Sequence, residues 1–244
     1  MRFTVDDDEG HPVSFECPDT FSSRWTSGAI LEGRTYPHLP FIEDVSTILD
    51  VGANCGATSV HLARHHPDAV VHAFEPGREA RRYLERNVGD LPNVVVHPFG
   101  LDAVDREALL FVDDEDIGQA SVITHVDGAA TAEAITLRSA AGWAAAAGID
   151  RIDIRKVDVE GCEVEVLEGL AALLPTVKVL YIEYDSRQAR RRITQLLDVG
   201  HDLYYAALMT LDQGECCFVR RAEAGHPDAI PRVRQIFSRS LVAR

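Results

Sequence analysis

Residues 48–59 read ILDVGANCGATS. An apolar run without alternation has the composition of a strand buried on both faces. It reaches the acid Asp50 and then turns through Gly52, Asn54 and Gly56, and a helix is predicted from about Gly56 to His65. The same grammar recurs along the chain. AVVHAFE (69–75) and NVVVHPF (93–99) read as strands, and between them Ala80, Tyr83, Leu84 and Val88 share one helix face. RIDIRKVDV (151–159) and VKVLYIEY (177–184) are two more strands. The helix after the first aligns Glu163, Leu167, Leu170 and Leu174, and the helix after the second aligns Ala189, Ile193, Leu196 and Leu197. Strands alternating with helices predict an α/β fold with a doubly wound parallel sheet, whose ligands bind beyond the carboxyl ends of the strands.

The flanks read differently. RFTVDD (2–7) and PVSFEC (12–17) alternate about a turn and predict an N-terminal hairpin. REALLFVDD (106–114) and QASVITHV (119–126) read as an inserted strand pair around EDIG, followed by an alanine-rich helix at 140–148. HDLYYAALMT (201–210) and GECCFVRR (214–221), three residues apart, read as an antiparallel hairpin at the sheet edge. The resulting division is a hairpin and helical lead-in over 1–45, a core over 46–222 with inserted elements at 103–150, and a tail over 223–244.

The chain has 244 residues and is 46% hydrophobic, enough for one sizeable core. No run reaches the roughly 18–20 apolar residues of a membrane span. The acidic, alternating N-terminus does not read as a targeting peptide. Five cysteines without a CxxC pair read as reduced thiols, and the expected location is cytoplasmic. A net charge of −15 disfavours a nucleic-acid partner, so the expected partner is a small molecule, with no membrane contact and a homodimer left open.

The turn after Asp50 is not a dinucleotide fingerprint. That pattern would need glycine at 54 and 57, where the chain has Asn54 and Ala57. A carboxylate two residues before the first glycine repels a pyrophosphate and suits an ammonium-bearing ligand such as S-adenosylmethionine. Glu75, ending the second strand, can accept hydrogen bonds from both hydroxyls of a ribose. An NAD-dependent oxidoreductase is therefore the weakest reading.

ILDVGANCGATS, HAFEPGREARRYLERN (72–87), KVDVEGCEVEVLEGL (156–170) and VLYIEYD (179–185) together resemble the FkbM family of S-adenosylmethionine-dependent methyltransferases. The likeness spans about residues 30–190. It departs at ITLRSAAGW, where Arg138 takes a position the family usually gives to an acid. The resemblance implies a Rossmann-like, mostly parallel seven-stranded sheet with an antiparallel edge strand. It also implies methyl transfer, most often to a hydroxyl oxygen of a small metabolite, natural product or sugar.

The cofactor-binding candidates are Asp50, Gly52, Asn54, Gly56, Glu75, Pro76, Gly100, Leu101 and Asp158. An alcohol acceptor must lose a proton, so a positioned base is expected. Asp158, Glu160, Glu183 and His125 are the candidates, and period two would point Asp158 and Glu160 to one side. Lys156 could pair with a carboxylate, and Glu32 and Tyr36 could close over the methionyl end. No metal ligand set is assigned; Mg2+ held by Asp158, Glu160, Glu183 and Asp185 is the less favoured alternative. Transfer to nitrogen or a carboxylate, and a non-catalytic cofactor-binding regulatory module, are the competing readings.

Overall fold

The computed structural model describes residues 1–112, 120–121, 131–226 and 229. Strands β1 (Arg2–Asp6) and β2 (Pro12–Glu16) form the expected antiparallel hairpin. Its inward residues Val13 and Phe15 are buried in the same apolar cluster as Val60 and Leu84. Helix α1 (Phe21–Leu31) opens on Thr20, whose hydroxyl accepts the Ser23 N–H at 3.1 Å. Then follow β3 (Thr47–Val51), α2 (Ala57–His65), β4 (Val70–Phe74), α3 (Arg78–Asn87) and β5 (Val94–His97). Strands β6 (Gly100–Asp102), β7 (Arg106–Val112), β8 (Ala120–Ser121) and β9 (Thr131–Ser139) build a second sheet, and helix α4 (Ala140–Ala146) leaves it. The chain returns through β10 (Ile154–Val157), α5 (Glu163–Gly169), β11 (Val179–Tyr184) and α6 (Arg187–Leu197). It closes with β12 (His201–Leu208), β13 (Gly214–Arg220) and the short α7 (Arg221–Ala224).

The main sheet has seven strands in the order β12-β13-β11-β10-β3-β4-β5. Only β13 runs against the others. The expected terminal hairpin forms the edge, but its antiparallel member lies one place in, between β11 and β12. A short connection forces β12 and β13 to pair antiparallel, and β13 is the one that meets β11, with Val219 opposite Val179. Successive strand residues feed two cores. Ile48, Val71 and Ile154 join the cluster on one face, and Leu49, Phe74 and Val157 join that on the other. Among the described residues no helix is long and apolar enough to cross a membrane.

The inserted region departs from expectation. β7 pairs with β9 from Arg106↔Leu137 to Val112↔Thr131, and meets β8 only at Phe111↔Ser121 and Val112↔Ala120. The sequence reading does not contain β9 as a strand, although Ile135 and Leu137 are buried while Thr136 and Arg138 are exposed. That alternation is a half-buried strand's signature, partly hidden by the alanines at 132 and 134.

The central strand carries one unusual charge. Arg155 is fully buried, and none of its guanidinium nitrogens has a hydrogen-bond partner. Burial pushes its pKa down to about 9. An uncompensated buried charge costs stability that an apolar side chain of similar length would not. Arg155→Met is therefore expected to raise Tm by several degrees; an unchanged or lower Tm in a thermal melt would contradict this.

Candidate active site

A cavity of about 940 Å3 opens at the carboxyl ends of β3, β4, β10 and β11. That volume lies within the range of small-molecule sites. The glycine turn forms its floor. Gly52 has φ +79°, and a Cβ there would stand 1.8 Å from the Asp158 carbonyl oxygen. Neither condition tolerates a side chain. Gly52→Ala is expected to prevent accumulation of folded protein. Gly10→Ala should cost only about 1–2 kcal/mol, because its positive φ faces open space. Comparable melting curves for the two variants would refute the close approach. Gly56 starts α2 at φ +91°, and a Cβ there would meet Leu84 Cδ1 at 2.6 Å. It shapes the turn and does not line the cavity. The Asn87 amide holds the turn from outside, donating to Cys55 O at 2.8 Å and to Glu16 O at 2.7 Å.

Backbone strain gathers here. Among the described residues four non-glycine residues have positive φ, and three of them, Tyr36, Asn54 and Glu160, line the cavity. Such conformations persist where the surrounding structure holds them.

Asp50, expected to meet the ligand, lies behind the turn. Its side chain is completely buried and lies beneath the cavity wall, not on it. Asp50 Oδ2 accepts from Ser59 Oγ at 2.6 Å, and Oδ1, without a hydrogen bond, lies 3.7 Å from Lys156 Nζ. Lys156 is the link upward. Its Nζ donates to Gly52 O at 2.6 Å and lies 3.3 Å from Asp158 Oδ2. Burial opposes the charge of Lys156, but the carboxylates of Asp158 and Asp50 outweigh that and raise its pKa. Asp50 thus fixes the lysine that faces Asp158.

Glu75 lies where the second strand ends, 8% exposed and on the cavity wall. Its two oxygens accept the backbone N–H groups of Asn54 at 2.8 Å and Gly77 at 2.7 Å. Burial lifts its pKa to about 7, against those two hydrogen bonds. Pro76, Gly100 and Leu101 continue the same wall.

The opposite end is acidic. Tyr36 Oη donates to Asp158 Oδ2 at 3.2 Å. Asp158 and Glu160 do not share a strand, since β10 stops at Val157 and Glu160 sits in a turn at φ +56°. Both still line the cavity, because the turn, not strand periodicity, presents them. Glu183 reaches it from β11. Its pKa rises to about 10 through burial, then the charge of Asp158, then that of Glu160. Burial and the charge of Asp158 lift Glu160 to about 8. Asp185 is not on the wall. Glu32, bonded to Arg34 at 2.6 Å, is also off it. His125 lies outside the described residues. Among the described residues these carboxylates do not gather three ligand atoms within 4.8 Å of one another.

Two features are absent from the sequence reading. Glu215 on β13 stands opposite Glu183 and lines the cavity, with its pKa lifted to about 7 by burial and the charge of Asp158. Only the slot of β13 beside β11 puts it there. Helix α1 supplies the other, a wall of Ser22, Ser23, Trp25 and Thr26. Trp25 and Phe21 are stacked and exposed at 57% and 83%. In the sequence the available signal was two aromatics four residues apart, Phe21 and Trp25, in an otherwise polar stretch.

The raised acids give a pH dependence. Burial and the charges of Asp158 and Glu160 hold the folded-state pKa of Glu183 far above the 4.5 of an unperturbed glutamate. Its contribution to stability is full below that lower value and drains as the pH rises toward the upper one. Without cofactor, Glu183→Gln should melt several degrees above the parent at about pH 8.5 and close to it at about pH 5. An equal difference at both pH values would remove the assignment.

The residues fit S-adenosylmethionine. A buried carboxyl group at the second strand suits a ribose, and the acidic wall at the other end offers oxygen acceptors to the cofactor's ammonium. A seven-stranded sheet with this turn and this cavity is an arrangement suited to binding S-adenosylmethionine. Residues 50–214 match the Methyltransferase FkbM domain. The chain belongs to that family, and S-adenosylmethionine is its cofactor. It is 30% identical over 180 residues to the AMB antimetabolite synthetase AmbE of Pseudomonas aeruginosa, covering 58% of this chain and 8% of that protein. It is 26% identical over 157 residues to Methyltransferase 1 of Beauveria bassiana, covering 56% of this chain and 63% of that one. The match thus spans less than two thirds of either relative. The solved precorrin-6y C5,15-methyltransferase of Geobacter metallireducens is 12% identical, with a TM-score of 0.47 over 88% of this chain and 96% of that one.

Proposed function

We propose that the protein methylates a hydroxyl oxygen of a small metabolite, sugar or natural product, with Asp158 as the base. The observation behind this is the position of Asp158, on the cavity wall between Tyr36 Oη, Lys156 Nζ and the Glu183 carboxyl. Bound S-adenosylmethionine supplies an electrophilic methyl group on a sulfonium. Glu75 would accept the ribose hydroxyls, with Gly52, Asn54, Pro76, Gly100 and Leu101 shaping the adenosine end. Glu160 and Glu215 would face the positive charges. Trp25 and the hydroxyls of α1 would cover the acceptor and exclude water. Asp158 Oδ1 would take the acceptor's proton, while Tyr36 and Lys156 hold Oδ2 and fix the carboxylate's orientation. Glu183, retaining its own proton, would leave Asp158 as the acceptor of this one.

The net charge of −15 supports a small acceptor over a nucleic acid. The similarity to an antimetabolite synthetase is compatible with a natural-product acceptor. The acid-rich end also favours a second reading, an amine acceptor held as a cation. The deciding experiment incubates the protein with isotopically labelled S-adenosylmethionine and metabolite extracts, and assigns the labelled position by mass spectrometry and NMR. Label on oxygen supports the proposal, label on nitrogen replaces it with the second reading, and no label with retained cofactor binding favours a regulatory module.

A further inference from the structure

We infer that Asp8, His61 and His65 form a metal site for a divalent first-row transition ion of the zinc type, joining the N-terminal hairpin turn to helix α2. His61 and His65 are four residues apart on α2, so they share one helix face. Their rings stand 4.7 Å apart at 69°. Asp8 enters from the turn between β1 and β2, and its Oδ1 lies 2.8 Å from His65 Nε2. One ligand atom from each residue lies within 4.8 Å of the other two. His61 is 2% exposed, and its Nε2 has no hydrogen-bond partner. A polar atom that deep without a partner costs stability that a bound ion would return.

The chemistry of the set is selective. Two imidazoles and one carboxylate suit Zn2+ and its neighbours in the first row, whereas Mg2+ and Ca2+ take oxygen ligands. Three protein ligands leave a fourth position for water. The His38 ring stacks on His65 at 4.3 Å, and Glu9 Oε1 lies 3.9 Å from His65 Nδ1. None of the three ligands lines the catalytic cavity. The ion would therefore act as a clip between the hairpin and the helix that follows the glycine turn.

The test uses the full chain after chelator treatment, with Zn2+ and Co2+ as probes. Calorimetry should find one Zn2+ per chain at micromolar affinity or tighter, and Tm should rise with Zn2+. Asp8→Asn and His61→Gln should each weaken binding at least about tenfold and remove the Tm rise. Asn can keep the hydrogen bond to His65, so Asp8→Asn decides the matter even if His61→Gln fails to fold. Bound Co2+ should show ligand-field bands without a thiolate charge-transfer band. No Zn2+ binding, equal affinity in parent and Asp8→Asn, or a thiolate band would each overturn the site.

Discussion

Glu75→Ala should fold normally and lose S-adenosylhomocysteine binding by about 10²–10³-fold, the loss expected from removing two hydrogen bonds to a charged acceptor. The carboxylate does two jobs in the structure. It accepts the N–H groups of Asn54 and Gly77, which sets the glycine turn and the start of α3, and it lines the cavity where we propose that the ribose binds. Removing it deletes a ligand contact and loosens the loop that carries the others. Folding should survive, because the group is costly to ionise where it sits, with its pKa lifted to about 7 by burial. Glu75→Gln keeps one oxygen acceptor and should lose about tenfold. Calorimetric titration with S-adenosylhomocysteine measures both. Unchanged affinity in Glu75→Ala would place the adenosine elsewhere. Asp50→Ala offers a contrast. It too should weaken binding, but through Lys156 and with a fall in Tm, because it frees a buried ammonium from its partner.

Asp158→Asn should lower kcat by about 10²–10⁴-fold while changing the affinity for S-adenosylhomocysteine by less than about tenfold. Asn preserves the shape and can still accept from Tyr36 and Lys156, so the ground-state arrangement stays. The lost function is proton acceptance, which matters only as the acceptor hydroxyl reacts. Tyr36→Phe, which removes one hydrogen bond of 3.2 Å to that carboxylate, should cost about tenfold in kcat. Steady-state kinetics on the acceptor identified by labelling, paired with binding titrations, separates the effects. Collapse of cofactor affinity in Asp158→Asn with little change in kcat would make Asp158 an ammonium ligand and move the base to another acid of the cluster.

How much of this was legible in the chain depends on the range of the cause. Burial of β3 on both faces, the glycine turn and the acid ending β4 follow from residues within one strand and one turn, and ILDVGANCGATS displays all of them. Lys156 was read as a partner for a carboxylate, and it faces both Asp50 and Asp158. The errors came where periodicity was extended past an element's end. Asp158 and Glu160 share the cavity through a left-handed turn, not through strand alternation. Asp50, expected to meet the cofactor, is enclosed by Ser59 and Lys156. The strand Thr131–Ser139 was missed because its small residues blur the alternation.

The sequence by itself determined the fold class and the family, because hydrophobic period and turn chemistry are local and glycine positions are read directly. The tertiary structure alone decided which acids meet. Glu215 joins Glu183 only because β13 is slotted beside β11. Asp8 reaches His65 across 57 residues only because the hairpin docks on α2. Contacts of that range depend on how elements pack, and packing is set by the whole core at once rather than by any one stretch of chain.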